Sequence, residues 1–157
     1  MLKLAFRCTL PLTVLAFGVF TKWWYALPVD APDSLLVGFP WPYVCEGWHT
    51  SMSLQLFLME GTADFLVYFL TISLLISIFE RLGITFHRNR STTIILWSTA
   101  GLLITYAIIL VSISNTIHYV KRPFDMKVLE TGYRFIWQQT ERPDYNKFQT
   151  PEPAPEP

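Results

Sequence analysis

Apolar residues are concentrated in three stretches, and each is read as a membrane-crossing helix because about 20 residues of helix span about 30 Å of hydrocarbon. The clearest is Ser91–Val120, which carries no formal charge with histidine neutral and whose apolar run from Ile94 to Ile113 is long enough alone. Met52–Phe79 is broken only by Glu60 and Asp64. Cys8–Thr21 is the shortest; it extends to Ala26 if Lys22 reaches outward and Trp23, Trp24 and Tyr25 form an interfacial aromatic belt. The pattern predicts an all-α integral membrane protein with three transmembrane helices, at about residues 8–26, 52–79 and 92–116.

The connecting segments differ in character. Residues 27–51 hold Pro28, Pro32, Pro40 and Pro42, with Phe39, Trp41, Tyr43 and Trp48 interleaved, which predicts an irregular outer loop lying along the membrane interface. A lipid or quinone-like ligand surface is the sharper alternative for that loop. A three-helix domain is thus expected over 1–120 and an interfacial aromatic segment with Tyr133, Phe135 and Trp137 over 121–140. Residues 141–157 end in Thr-Pro-Glu-Pro-Ala-Pro-Glu-Pro and are expected to form a disordered, extended Pro/Glu tail. A secretory signal peptide is the rival reading of the first stretch, with Lys3 and Arg7 at its basic end, but Trp-Trp-Tyr followed by Ala26-Leu27-Pro28 offers no small-x-small cleavage site.

Positive charges set a sidedness. Lys3 and Arg7 precede the first stretch and Arg81, Arg88 and Arg90 lie between the second and third, whereas residues 26–51 contain no Lys or Arg. The N-terminus is therefore expected in the cytoplasm and the C-terminus on the outer side, with a bacterial inner membrane as the location. Lys121, Arg122 and Lys127 oppose that assignment.

Composition agrees with a membrane protein: 52% of the 157 residues are hydrophobic, 16% aromatic and only 15% charged. Twelve Lys plus Arg balance twelve Asp plus Glu, so no basic surface is offered to nucleic acid. Two cysteines, Cys8 and Cys45, are too few for a disulfide framework. No phosphate-cradling glycine motif or nucleophile elbow occurs, and the sequence points to no cofactor and to no enzyme.

The candidate chemistry lies in the second stretch. On a helical wheel Ser53, Glu60, Asp64 and Thr71 fall within about 40° of one another, with Tyr68 beside them. A carboxylate at the centre of a bilayer costs roughly 2.5–3.5 kcal/mol on insertion scales, so such groups face protein or water. Lys22 is a candidate ion partner for Glu60, which would leave Asp64 to hydroxyls such as Thr105 or Tyr106, or to a partner protein. On the third stretch Ser98, Gly101, Thr105, Ser112 and Thr116 lie within about 60°, a small-residue face expected to pack on the second helix. Cys45, His49 and His118 are weak candidates for a metal site at the outer interface. The preferred reading is an accessory or scaffold subunit of a larger membrane complex, with lipid and a larger integral membrane protein or further copies of the chain as partners. The alternative is an oligomeric proton or cation pathway through Asp64 and Glu60.

Overall fold

The computed structural model describes residues 2–29, 31–48, 50, 53–83, 90–140 and 142–148, without the side chains of 2–7, 145 and 146. A helix, α1 (Leu2–Val19), leads directly into a long strand, β1 (Phe20–Pro28), followed by β2 (Ser34–Val37), β3 (Val44–Glu46) and β4 (Ser53–Phe57). Two 24-residue helices, α2 (Leu58–Arg81) and α3 (Arg90–Ile113), then precede β5 (Asn115–Tyr119) and β6 (Met126–Phe135). A short 3-10 turn spans Tyr145–Phe148.

The strands form one six-stranded sheet in the order β5-β4-β3-β2-β1-β6. All neighbours are antiparallel except β4 and β5, which are parallel. Parallel neighbours need a long crossover, and here the helix pair supplies it: α2 leaves the end of β4 and α3 returns to the start of β5. Helix α1 packs against both α2 and α3 and lies between them. A side chain at Gly18 would strike Leu103 of α3, so the missing Cβ sets how closely those two helices approach.

One face of the sheet carries the core. Ala26, Leu36, Cys45 and Phe57 are fully or almost fully buried there, with Trp24, Trp48, Tyr119, Phe124 and Met126 packed against them. The indoles are also tied by hydrogen bonds, Trp24 Nε1 donating to Gly38 O at 2.9 Å and Trp48 Nε1 to Ser34 Oγ at 2.7 Å. Gly38 has φ 154°, and a Cβ there would meet the Trp41 carbonyl, so the β2–β3 loop needs glycine at its start.

These findings correct the expected architecture. The chain is mixed α/β rather than all-α, and a multi-pass membrane fold of three spans is not supported: among the described residues two helices, α2 and α3, are long and apolar enough to cross a membrane. The first expected span, 8–26, divides at Val19, because Thr21, Trp23, Trp24 and Tyr25 are β-branched or aromatic and pair with β2 and β6. The supposed aromatic belt is thus a strand paired on both edges, with Trp23 and Trp24 half-buried and Tyr25 buried, which hydropathy alone does not distinguish from a helix end. The expected interfacial loop contributes β2 and β3, and the aromatic segment 121–140 contributes β6. Within the expected disordered tail, residues 142–148 follow the sheet: Arg142 pairs with Asp33 at 3.1 Å and Phe148 packs on Tyr25 with ring centroids 5.8 Å apart. Residues 149–157 lie outside the described residues.

Replacing Leu36 by Ala removes a side chain with no exposure from the core and should cost about 2–5 kcal/mol of stability in denaturant titrations of the purified chain. Ile108→Ala, on the outward side of α3, should stay within about 0.5 kcal/mol of the parent.

Candidate functional site

The polar stripe of α2 faces the chain's own β domain. Glu60, Asp64 and Tyr68 follow at four-residue spacing, one turn each, and so share one side of the helix. Each bonds to the backbone of a different segment. Glu60 Oε1 accepts from the Arg122 N–H at 3.2 Å, in the β5–β6 connection. Asp64 Oδ1 accepts from the Trp41 N–H at 3.0 Å, in the β2–β3 loop. Tyr68 Oη donates to the Phe20 carbonyl at 2.8 Å, where α1 passes into β1.

Local sequence explains the Asp64 contact. Trp41 lies between Pro40 and Pro42, neither of which has an N–H, and the Tyr43 N–H is spent on Val37 O at 2.9 Å. The Trp41 N–H therefore remains pointing at α2, and the carboxyl beneath it is fully buried, at 0% exposure. Rings complete the seal: Phe17 of α1 stacks on Tyr43 at 5.1 Å and meets Phe65 and Tyr68 of α2 edge-on at 5.7 and 5.5 Å. Burial, reinforced by the Asp64 carboxyl, pushes the Tyr43 phenol well above its ordinary value, so it stays neutral. Glu60 Oε2 and Asp64 Oδ2 accept no hydrogen bond from a described group.

The remaining candidates are dispersed. Lys22 belongs to β1, its Nζ 3.6 Å from the Trp24 ring centroid and 5.9 Å from that of Tyr133, a cation–π site and not an ion pair with Glu60. Thr71 is exposed and returns its hydroxyl to the Val67 carbonyl one turn back. Ser98, Gly101, Thr105 and Ser112 of α3 are all exposed, so this small-residue face is not the packing face; α3 packs on α1, where Leu103 meets Gly18.

Cys45 and His118 do not converge. The register aligns Cys45 with Gln55 and Ile117, so His118, next along β5, points to the opposite face. His49 lies outside the described residues, and among those described no group of three His, Cys, Asp or Glu is arranged to hold a metal. Burial pushes the Cys45 thiol up to about 12, too high for a thiolate ligand or nucleophile at neutral pH. On that opposite face the chain after β6 leaves an open groove of about 520 Å³ over Leu35, Val37, Val44 and Leu54, and none of its lining residues belongs to the α2 stripe.

Sequence reasoning found the acids and missed their partners, because these are backbone groups of Trp41, Arg122 and Phe20. The Pro-Trp-Pro run was the available signal, since of its three residues only Trp41 has an N–H to donate. No protein-family model matches the chain, and comparisons with curated proteins and with solved structures find no match.

Asp64→Ala removes the acceptor from the Trp41 N–H and should cost about 1–3 kcal/mol, with faster proteolysis in the 38–43 loop, whereas Asp64→Asn keeps an acceptor oxygen and should lie close to the parent. Thermal unfolding and limited proteolysis of the two variants check this. The Cys45 thiol should resist maleimide at pH 8 in the folded chain and react on unfolding; because its folded value is raised, its contribution to stability is present below pH 9 and is lost as pH rises toward about 12.

Proposed function

We propose that this chain is a non-enzymatic accessory subunit of a larger membrane assembly, with α2 and α3 seated in a bacterial inner membrane and the six-stranded sheet held on its outer side. The observation that carries this reading is the outward side of the helix pair. Both helices are long and apolar enough to cross a membrane, and a core helix of a soluble protein would pass the same test. Such a core helix is buried, whereas Leu66, Leu70 and Leu74 of α2 and Ile95, Leu102 and Ile108 of α3 are exposed, Leu102 at 73%. Acids turned inward and leucines turned outward are the arrangement that lipid, or the apolar helices of a partner, stabilises.

The charges support the sidedness. Arg81 and Arg90 lie at the end of the helix pair away from the sheet, which favours a cytoplasmic position for that end under the positive-inside rule. Arg122, on the sheet side, is occupied within the fold: its Nε donates to the Phe124 carbonyl at 3.0 Å and its backbone N–H to Glu60. A positively charged residue with a structural role there weighs less against an outer location, whereas Lys121 and Lys127, exposed on the same side, still oppose it.

A second reading, a proton or cation pathway, is favoured by the carboxyl oxygens of Glu60 and Asp64 that accept no described hydrogen bond. Asp64→Asn separates the two. An assembly role needs only the Trp41 hydrogen bond and survives the substitution; a proton-carrying role is abolished by it with assembly intact.

The deciding experiment is purification of the tagged full chain from its native membrane in mild detergent, with the mass of the intact complex and the identity of co-purifying proteins. A larger integral membrane protein in fixed stoichiometry is the expected result. Recovery of the chain from the soluble fraction, or as a homo-oligomer without any partner, contradicts the reading.

A further inference from the structure

We propose that the sheet domain is seated on the headgroup–acyl boundary of a phospholipid bilayer by two aromatic turns, residues 39–43 and 135–138, which flank the helices. This inference rests on the placement of α2 and α3 in a membrane and assigns the orientation of the sheet upon it.

Both turns lie on the helix side of the sheet. Strand β6 runs toward the end of α1: Phe135 pairs with Phe20, the first residue beyond the helix, and the Ile136 N–H donates to the Val19 carbonyl at 2.9 Å. The 39–43 loop reaches the same level from β2, where Trp41 meets Asp64 in the second turn of α2. Phe39 ties the two turns together, its ring 6.1 Å from Tyr68 and 5.7 Å from Tyr133. From there the rings continue without a break: Tyr133 to Phe20 at 5.7 Å, Phe20 to Phe135 at 5.6 Å, and Phe135 to Trp137 at 4.9 Å. The 39–43 turn is therefore beside the second and third turns of α2, on the side that carries Asp64 and Tyr68, and the 135–138 turn is beside the end of α1, so both lie at the junction of sheet and helices.

The 135–138 turn is built to hold its apex outward. Gln138 N–H donates to the Phe135 carbonyl at 2.9 Å, and the Phe135 N–H donates to Gln138 Oε1 at 2.8 Å, so the turn is closed from both sides. Its tip presents Ile136 and Trp137, the latter 68% exposed and stacked flat on Phe135. Trp41 is exposed at 51% on the other turn. By contrast Trp24 and Trp48 are packed on the core and bonded through Nε1. Exposed indoles with a polar edge are favoured at headgroup depth, and Ile136 adds an apolar group that water does not favour. A lipid interface accepts all of these at once, and it is continuous with the surface that covers α2 and α3.

The test reconstitutes the full-length chain into phosphatidylcholine vesicles in which lipids carry bromine either near the headgroup or near the acyl terminus, and compares tryptophan quenching in the parent, Trp137→Phe and Trp97→Phe chains. The difference between the parent and Trp97→Phe reports α3, and that between the parent and Trp137→Phe reports the turn. The expected result is that Trp137 emission is quenched by the shallow bromines and shielded from aqueous iodide, while Trp97 is quenched by bromolipid as well. Ile136→Asp, which charges the apex without touching an indole, should abolish the shallow quenching of Trp137 and leave that of Trp97. Quenching of Trp97 with Trp137 open to iodide and untouched by bromolipid overturns this inference alone. Absence of bromolipid quenching at both positions overturns it together with the membrane placement of the helices.

Discussion

Three hydrogen bonds from one side of α2 hold the helices and the sheet together. Glu60, Asp64 and Tyr68 each engage a backbone group of a different segment, so one helix fastens the β5–β6 connection, the β2–β3 loop and the α1–β1 junction. Each bond contributes about 1 kcal/mol net, and leaving either partner buried without one costs more. The aromatic rings of Phe17, Tyr43, Phe65 and Tyr68 then close around the same seam.

That arrangement fixes which surfaces remain for anything else. With Glu60 and Asp64 bonded inside the chain, α2 offers leucines to its surroundings, and α3, packed on α1 at Leu103, offers isoleucines, leucines and the Ser98, Gly101, Thr105 and Ser112 face. Backbone groups in the body of both helices are bonded within the helix, and the hydroxyls of Thr71, Ser77, Thr105 and Ser112 bond back one turn, so these groups need no partner outside it. The sheet is organised the other way, with its core face closed by Trp48 and Phe124 and its opposite face crossed by the chain beyond β6.

What could be seen in the sequence followed from hydropathy and period. The bodies of α2 and α3 were visible because their apolar runs are long and uninterrupted by proline, although the expected spans 52–79 and 92–116 took in β4 at one end and the start of β5 at the other; the Glu60–Asp64–Tyr68 stripe was visible because four-residue spacing marks one helix face. The sheet was not visible, because Phe20–Pro28 has no alternation of apolar and polar residues: as a strand with packed neighbours on both sides it resembles the end of an apolar helix. The short strand β2 lies between Pro32 and Pro40 and β3 follows Pro42 and Tyr43 directly, so both read as loop. Partners that are backbone amides leave no side-chain signature, which is why Lys22 stood out as a mate for Glu60 although its ammonium lies over Trp24. A pairing that depends on register, such as Cys45 facing away from His118, becomes decidable only once strand neighbours are known.

Hydrogen exchange at two backbone amides tests the central claim most directly. With the full chain in lipid nanodiscs and free of partner proteins, the Trp41 and Arg122 N–H groups should exchange far more slowly than open loop amides, because Asp64 and Glu60 hold them within the chain. Exchange of both amides at the rate of unprotected loop positions would contradict the account, since the α2 carboxyls would then be free to meet something outside this chain.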